Sequence, residues 1–411
     1  KGIRNAPSYH ASLHCRRYGY VHVPKKTTPH LLGHGSVWRS CYVVYPNTQA
    51  VDPFTKYQWL TKTVVIKGLP ERMSKVVVPD ESEVVANMKD HVTETLAYQV
   101  HDNPAKLHTV DLSTGLLQAA FSSVWQHGSR YNHLAHSNLT YNPNTECYWR
   151  RNGENYICHA RPMYMLHTTN PLELFCDPGT AAQLPMPHTK YQPSFLGLFK
   201  HSFDQIDPFG GCKRQSPYSF AHTLFVEDKK SRTDDQTLAH GLMQLFAQAA
   251  GETVQNGYKL DSDLYFPLAS QCVVTNGKRF TFLSYQLNTL DLSEQGGTRS
   301  NFLWVGPTLE LYDGIQRGKG LVGFNENCAR LLAQFLLHKP LRAKPALSGF
   351  VLARQAEEAK AEKRLGIKQY LGGLKRQKAL QRKRKAKKQS NTNEEHHGQV
   401  HAGVGGTRDN V

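Results

Sequence analysis

The sequence predicts an α+β fold in which helices and antiparallel hairpins form one core, with extended basic N- and C-terminal arms. Three observations predict it. Two Asn-Gly pairs each lie between runs rich in β-branched and aromatic residues. Several other segments place apolar residues at three- to four-residue spacing. Strand-type and helix-type segments interleave without a repeated βαβ period or an internal repeat, which favours a mixed α+β arrangement.

Charge is unevenly distributed along the 411 residues, whose formal net charge is +17. Residues 1–51 contain seven Lys or Arg and no acidic residue, and residues 339–388 contain seventeen basic and three acidic residues. The stretch 52–338 is balanced, with 25 basic and 27 acidic residues. Four parts follow from this pattern. They are a basic extended arm (1–40), a globular core (41–340), a basic helical extension (341–388) and a disordered polar tail (389–411).

Apolar spacing predicts four core helices in chain order. The first two cover about 84–100 and 112–125, and a strand at 61–66 that ends at Gly68-Leu69-Pro70 precedes them. The third covers about 234–250. The fourth begins near Asn325, a suitable N-cap, and stops at Pro340. A further, more basic helix is predicted at 349–380.

Two hairpins are predicted from their turns. Residues 147–161 surround Asn152-Gly153, and residues 271–288 surround Asn276-Gly277. Asn-Gly pairs accept the positive φ angles that a tight turn between antiparallel strands requires. Between the hairpins lies a long region, 168–220, punctuated by Pro and Gly.

Motifs of the common enzyme classes are absent from the sequence. It contains no G-x-S-x-G, no Walker A loop, no G-x-G-x-x-G and no H-E-x-x-H. The eight cysteines form no C-x-x-C pair, which favours reduced thiols over a disulfide framework. No run of 18 apolar residues is present. We therefore predict no catalytic residue, no cofactor and no enzymatic activity.

Two groups of residues have compositions that can carry chemistry, and both have a simpler interpretation. A group of metal-ligand types has spacings that match no common zinc pattern, so we predict no metal site there. Its members are His127, His133, His136, Cys147, Cys158 and His159. The acid pairs Asp234-Asp235 and Glu81-x-Glu83 precede helical patterns, where negative charge favours the helix N-terminus without a catalytic role.

The basic arms carry the predicted RNA contacts, because each cation that neutralises a phosphate releases a condensed counterion. In the N-terminal arm these residues are Arg16, Arg17, Lys25 and Lys26, interleaved with tyrosines that can stack on bases. In the C-terminal extension they are Lys375, Arg376, Lys378, Arg382, Lys383, Arg384, Lys385, Lys387 and Lys388.

Other interpretations of the C-terminal run remain open. A nuclear localisation signal has the same local composition, and a basic amphipathic helix binds anionic membranes. A solvated helix face is disfavoured, because no acidic residue occurs between Glu362 and Glu394. Alternative functions are accordingly an RNA-processing or RNA-modifying enzyme with a basic tail, or a nuclear RNA-binding factor.

Several strings of the core resemble a known family. They are Tyr57-Gln58-x-x-Thr61-Lys62-Thr63-Val64, Ser270-Gln271-x-Val273-x-Thr275-x-Gly277-Lys278, Tyr285-Gln286-Leu287-Asn288-Thr289-Leu290 and Gly323-Phe324-Asn325 with Phe335-Leu336-Leu337-x-x-Pro340. In this order they resemble the family of animal mitochondrial ribosomal protein number 65 of the large subunit. The same family was formerly counted as number 30 of the small subunit and is also called programmed cell death protein 9.

The resemblance implies a non-enzymatic structural protein of the large subunit in the mitochondrial matrix. It implies two kinds of partner, the large-subunit rRNA and neighbouring ribosomal proteins, among them the paralogous large-subunit protein number 37. The basic extension from residue 341 onward lies outside the family pattern, so its predicted RNA contacts rest on charge alone.

Overall fold

The computed structural model describes residues 39–342, with gaps at 49, 79, 103–108, 128–131, 178–190, 192, 194–196, 204–207, 214–215, 229–231, 294–298 and 317–319. The strands of this part are β1 (Arg39–Val44), β2 (Thr63–Lys67), β3 (Ser137–Tyr141), β4 (Thr145–Arg151), β5 (Glu154–Ala160), β6 (Tyr164–Thr168), β7 (Lys200–Phe203), β8 (Phe220–Glu227), β9 (Asp263–Thr275), β10 (Arg279–Thr289), β11 (Asn301–Glu310), β12 (Gly314–Gln316) and β13 (Gly320–Val322). The helices are α1 (Pro53–Thr61), α2 (Glu71–Ser74), α3 (Glu81–Asp102), α4 (Thr109–Trp125), α5 (Asn132–Ala135), α6 (Asp234–Gln255) and α7 (Glu326–Leu337).

Seven strands form the main sheet, in the order β2-β11-β10-β9-β8-β6-β3. Two of its strand pairs are parallel, β2 with β11 and β8 with β9. Parallel neighbours need a long crossover, and α6 provides the one that joins β8 to β9. Because β9 and β10 are long and central, the predicted second hairpin is the middle of this sheet.

A second sheet has four strands in the order β4-β5-β1-β7. Its N-terminal strand β1 is an interior strand, parallel to β5 on one side and antiparallel to β7 on the other. The pairing of Tyr42 with Tyr156 shows how far apart in sequence the paired segments are.

Helix α6 packs against strands of both sheets, contacting β8, β9 and β10 of the larger sheet and β4 and β5 of the smaller one. Every residue from Ala239 to Val254 is buried. The helix begins at an N-cap, Thr233, whose hydroxyl accepts from the Gln236 N–H. Helix α1 packs beside it, and the Phe54 N–H at the start of α1 donates to the Asp235 carboxylate.

The other face of the seven-stranded sheet is covered by α3, α4 and α7, which contact one another. Their apolar residues form one cluster with Phe225, Val273, Phe282 and Phe302 of the sheet. Asn325 caps α7 as predicted, with its side-chain oxygen accepting from the Cys328 N–H at 3.2 Å.

The predicted α+β class is confirmed, and the four predicted core helices and both hairpins are present. The helices are longer than their apolar patterns, because polar first and last turns belong to them. At Asn152-Gly153 both φ angles are positive, +50° and +79°. At the second turn only Gly277 has a positive φ, while Asn276 instead accepts the Lys278 and Arg279 N–H groups with its side-chain oxygen. The parallel strand pairs and α1 were not predicted from the sequence.

Candidate functional site

The thirteen predicted RNA-binding residues lie outside the described part of the chain. Arg16, Arg17, Lys25 and Lys26 precede it, and the residues from Lys375 to Lys388 follow it. They therefore remain predictions based on charge. The predicted helix at 349–380 and the polar tail likewise lie beyond the described residues.

Several cations on the described core form ion pairs with acids. The ion pairs include Arg72–Glu173 at 2.5 Å, Lys75–Glu71 at 2.7 Å, Lys200–Glu154 at 2.9 Å, Lys278–Glu310 at 2.9 Å and Arg279–Asp234 at 3.1 Å. Exposed pairs of this kind add little to stability, but they cancel the local field. The described core thus agrees with the balanced charge of its sequence.

Within the described residues, no three His, Cys, Asp or Glu side chains converge as metal ligands. Cys147 of β4 and Cys158 of β5 lie opposite each other in the sheet as free thiols. Burial raises the pKa of the Cys147 thiol well above its ordinary value. His159 Nδ1 lies 3.3 Å from the Glu146 carboxylate, a local pair between neighbouring strands. None of the described helices has the length and apolar character to span a bilayer.

The string from Tyr285 to Leu290 places two polar side chains inside the core. Gln286 accepts the N–H groups of Phe175 and Cys176 and donates to the Cys176 carbonyl, which fixes the 175–176 segment to β10. It also donates to Asn288 Oδ1, and Asn288 in turn donates to the Ser300 carbonyl. The polar positions of this string therefore join separate segments.

Asn301, at the start of β11, continues this network. Its side-chain oxygen accepts the N–H groups of Asn288 and Thr289, and its Nδ2 donates to the Thr61 carbonyl at the end of α1. Because all three partners are backbone groups of buried residues, one amide side chain fixes where β10, β11 and α1 meet.

A second buried network caps the C-terminal end of α7. Gln271 of β9 donates through Nε2 to the carbonyl of Phe335 and to Thr223 Oγ1, both at 3.0 Å. Its oxygen accepts from His338 Nδ1, also at 3.0 Å. The last carbonyls of a helix have no intrahelical donor, so these side chains satisfy groups that burial would otherwise leave unpaired.

His222 completes this cap. Burial lowers the pKa of His222 to about 3 and that of His338 to about 4, which keeps both rings neutral. Neutral His222 donates through Nε2 to the His338 carbonyl at 2.6 Å and accepts at Nδ1 from the Thr223 hydroxyl at 2.7 Å. Both ring nitrogens of His222 therefore form hydrogen bonds within the network at the C-terminal end of α7.

Helix α6 contains a buried carboxyl group at Glu252. Burial raises its pKa to about 8, so the group is protonated at neutral pH. Its Oε2 accepts the Ala221 N–H at 3.1 Å and the Gln248 amide at 2.6 Å. Raised pKa values also occur in catalytic acids, but here the partners are backbone and amide groups inside the core.

Gly210 and Gly251 bring backbone segments against α6. A Cβ at Gly251 would lie 2.6 Å from the Glu146 carbonyl oxygen and 2.7 Å from that of Phe209. One at Gly210 would lie 2.5 Å from Glu252 Cβ. Only glycine allows this approach, so the 209–211 segment and β4 are seated on the helix.

On the outer surface, α3 and α4 enclose a groove of about 580 Å³. Its lining includes His91, Glu94 and Tyr98 of α3 together with Gln118 and Ser122 of α4. From the sequence, these residues fall within the two predicted helices at 84–100 and 112–125 and have no role of their own. Their spacing along each helix, three or four residues, was the signal that they share one face.

The family model described as "Mitochondrial 28S ribosomal protein S30 (PDCD9)" matches this chain in two overlapping segments, residues 36–165 and 157–340. Together they cover β1 to α7. All the strings quoted as resembling the family lie within these segments.

Curated relatives are named "Large ribosomal subunit protein mL37". The protein from Rattus norvegicus is 25% identical over 286 residues, covering 66% of this chain and 66% of the relative. That from Bos taurus is 25% identical over 294 residues with the same coverage. That from Gallus gallus is 24% identical over 306 residues, covering 68% of this chain and 67% of the relative. The chain thus spans about two thirds of the length of the first two.

The match covers the whole described fold, from the first strand to the helix whose end Gln271 and His222 cap. The chain belongs to the family of mitochondrial 28S ribosomal protein S30 (PDCD9).

Proposed function

We propose that this chain is a structural constituent of the large subunit of the mitochondrial ribosome. It binds rRNA through its basic terminal segments and neighbouring ribosomal proteins through its folded core. The observation that carries this proposal is the charge distribution, in which the terminal segments are cationic and the core between them is balanced. The names of the relatives support placement in the large subunit.

Within the family, the chain corresponds to large-subunit protein number 65 rather than to mL37, which is its neighbour. The quoted core strings support this assignment, and an identity of about 25% to mL37 proteins is low enough for a paralogue. Mass spectrometry of purified large subunits tests it. We expect this chain and a separate mL37 protein in the same particles, whereas finding no second relative would make this chain the mL37 of its organism.

Sedimentation of a mitochondrial lysate at moderate salt tests subunit placement. We expect the full-length chain to co-migrate with the large subunit. Migration with the small subunit, or as a free protein, would contradict the proposal. Microscopy of the tagged precursor adds a second check, because nuclear accumulation would favour the alternative of a nuclear RNA-binding factor.

Deleting residues 375–388 tests the assigned role of the C-terminal segment. The deletion removes nine basic residues, so rRNA affinity falls and its salt dependence flattens by roughly 0.7–0.9 in slope for each phosphate that is no longer neutralised. Truncation after residue 388 removes the weakly acidic tail instead and is the matched control. An unchanged salt slope in the first variant would refute RNA contact by this segment.

A further inference from the structure

The α3 side of the α3–α4 groove carries negative charge. Glu83, Asp90 and Glu94 lie along one side of α3, with two turns between the first two and one turn between the last two, and Glu94 lines the groove. None of the three forms an ion pair with a described residue, whereas Glu81 at the start of the helix lies 3.8 Å from Arg330. The α4 side contributes no charge between residues 112 and 125. Among the described residues no cation pairs with these carboxylates, in a protein whose net charge is +17.

Exposed aromatic rings flank the same groove. Tyr98, in its lining, is 72% exposed. Tyr141 is 59% exposed, and its ring centroid lies 5.3 Å from that of Tyr164. The Tyr164 hydroxyl accepts from Gln118, another lining residue, at 3.4 Å. Tyrosine is enriched in the anchoring positions of protein interfaces, and its ring face attracts guanidinium and ammonium groups.

Internal hydrogen bonds hold the groove walls in place. His91 of α3 bonds through Nδ1 to Ser123 Oγ of α4 at 2.9 Å, and its Nε2 lies 3.4 Å from the Gln126 amide nitrogen. Ser123 in turn donates to the Ala119 carbonyl at 2.8 Å. Because these hydrogen bonds join the two helices, the groove exists before any partner binds. A preformed groove lowers the entropic cost of binding.

We propose that the α3–α4 groove binds an extended Arg- and Lys-containing segment of a neighbouring ribosomal protein. Asp90 and Glu94 pair with its cations, and Tyr98 stacks against a guanidinium or ammonium group. This proposal rests on the proposed ribosomal function and adds to it the surface and the chemistry of the partner. Ribosomal RNA is the wrong occupant, because unpaired carboxylates repel phosphates.

Photo-crosslinking in assembled ribosomes tests the occupant. The full-length chain carrying Tyr98→p-benzoylphenylalanine is expressed in mitochondria, and the large subunits are isolated and irradiated. We expect a crosslink to one protein segment rich in Arg and Lys. A crosslink to rRNA, a crosslink to a segment without basic residues, or no crosslink in assembled subunits would overturn the proposal.

Charge-matched variants establish the mechanism. Asp90→Asn with Glu94→Gln removes the groove carboxylate and the carboxylate one turn before it, and reduces the crosslink yield roughly three- to tenfold. Asp52→Asn with Glu326→Gln removes two exposed carboxylates elsewhere, and the yield stays unchanged. Equal loss in both variants would assign the effect to overall charge and contradict the groove.

Co-sedimentation with the large subunit distinguishes a failure of the groove assignment from a failure of the proposed ribosomal function. If the chain sediments with large subunits but position 98 fails to reach a basic protein segment, only the groove assignment fails. If the chain is missing from large subunits, the proposed function fails and the partner class fails with it. Thermal unfolding of the purified full-length variants verifies that both pairs of substitutions leave the fold unchanged.

Discussion

The two faces of the seven-stranded sheet are covered in different ways. On one face lies α6, buried without interruption from Ala239 to Val254 and packed against strands of a second sheet. On the other face lie α3, α4 and α7, each with an apolar inner side and a polar outer side. Polar groups on α6 must therefore find partners inside the protein, whereas those on the outer helices remain available to other molecules. The inner layer determines stability and the outer layer offers interaction surface.

Alanine in place of a tryptophan on each side tests this difference most strongly. Trp149 is fully buried, packs edge-on against Phe246 of α6 at 5.1 Å and donates to the Leu60 carbonyl. We expect Trp149→Ala to lower the free energy of unfolding by about 3–5 kcal/mol. Trp125, on α4, is only half-buried, so Trp125→Ala costs about 1–2 kcal/mol. Chemical denaturation measures both, and equal losses would contradict the comparison.

Replacing a buried glutamine and an exposed glutamine with leucine tests the same difference between the two faces of the sheet. Gln271→Leu leaves the Phe335 carbonyl and the buried His338 ring without their partner, which costs about 2–3 kcal/mol. Gln118→Leu on the outer groove loses one long hydrogen bond to Tyr164 and changes stability by less than about 0.5 kcal/mol. Hydrogen exchange at the end of α7 should accelerate only in the first variant. Protection retained there would show that the cap is dispensable.

The pH dependence of unfolding distinguishes the two layers through their glutamates. The pKa of Glu252 is about 8 in the folded chain against an ordinary value of 4.5. Between these values the folded state holds a proton that the unfolded state releases, so stability falls as pH rises through this window.

Glu252→Gln keeps an oxygen that can accept from Ala221 and Gln248 but removes the ionisation. We expect it to match the wild type near pH 5 and to be roughly 2–4 kcal/mol more stable at pH 8. Glu94→Gln, on the exposed groove, is the control for the loss of one carboxyl group outside the core. A wild-type slope that persists in Glu252→Gln would show that another group titrates.

Helix caps give the smallest expected effect and should be equal on the two faces. Thr233 caps α6 and Asn325 caps α7, each through a side-chain oxygen that accepts one hydrogen bond from an N–H of the first turn. Alanine at either position costs about 1 kcal/mol, because each leaves one N–H unsatisfied at a partly exposed end. Thermal unfolding of the two single variants measures this. A much larger loss at one cap would show that the contrast between layers extends to helix ends.

Local features of this fold were predictable from the sequence, and distant pairings were not. The Asn152-Gly153 turn and the Asn325 cap depend on neighbouring residues alone, so their signals lie within a few positions. The parallel partners β1 and β5 lie more than a hundred residues apart, and nothing in either segment specifies the other. Strand β11 likewise has no separate signal in the sequence, although it pairs with both β10 and β2.

The structural roles of several buried polar side chains were also not predictable from the sequence. Gln271 and Gln286 occur in strand-like runs, where a polar residue ordinarily indicates the solvent face, and Asn301 begins a strand that has no sequence signal. In the fold each bonds to backbone groups from distant segments, which no local pattern reveals. The groove was missed for the opposite reason, because acids on an amphipathic helix are usually only solvated.

Strand β1 has a mechanical consequence for the N-terminus. It is hydrogen-bonded to β5 on one side and to β7 on the other, with Arg39 opposite Phe203 and Tyr42 opposite Tyr156. A pull along the strand from residue 39 loads both ladders in shear, so their bonds resist together rather than opening one after another. A load that reaches the chain at residue 39 is therefore resisted by an interior strand of the four-stranded sheet.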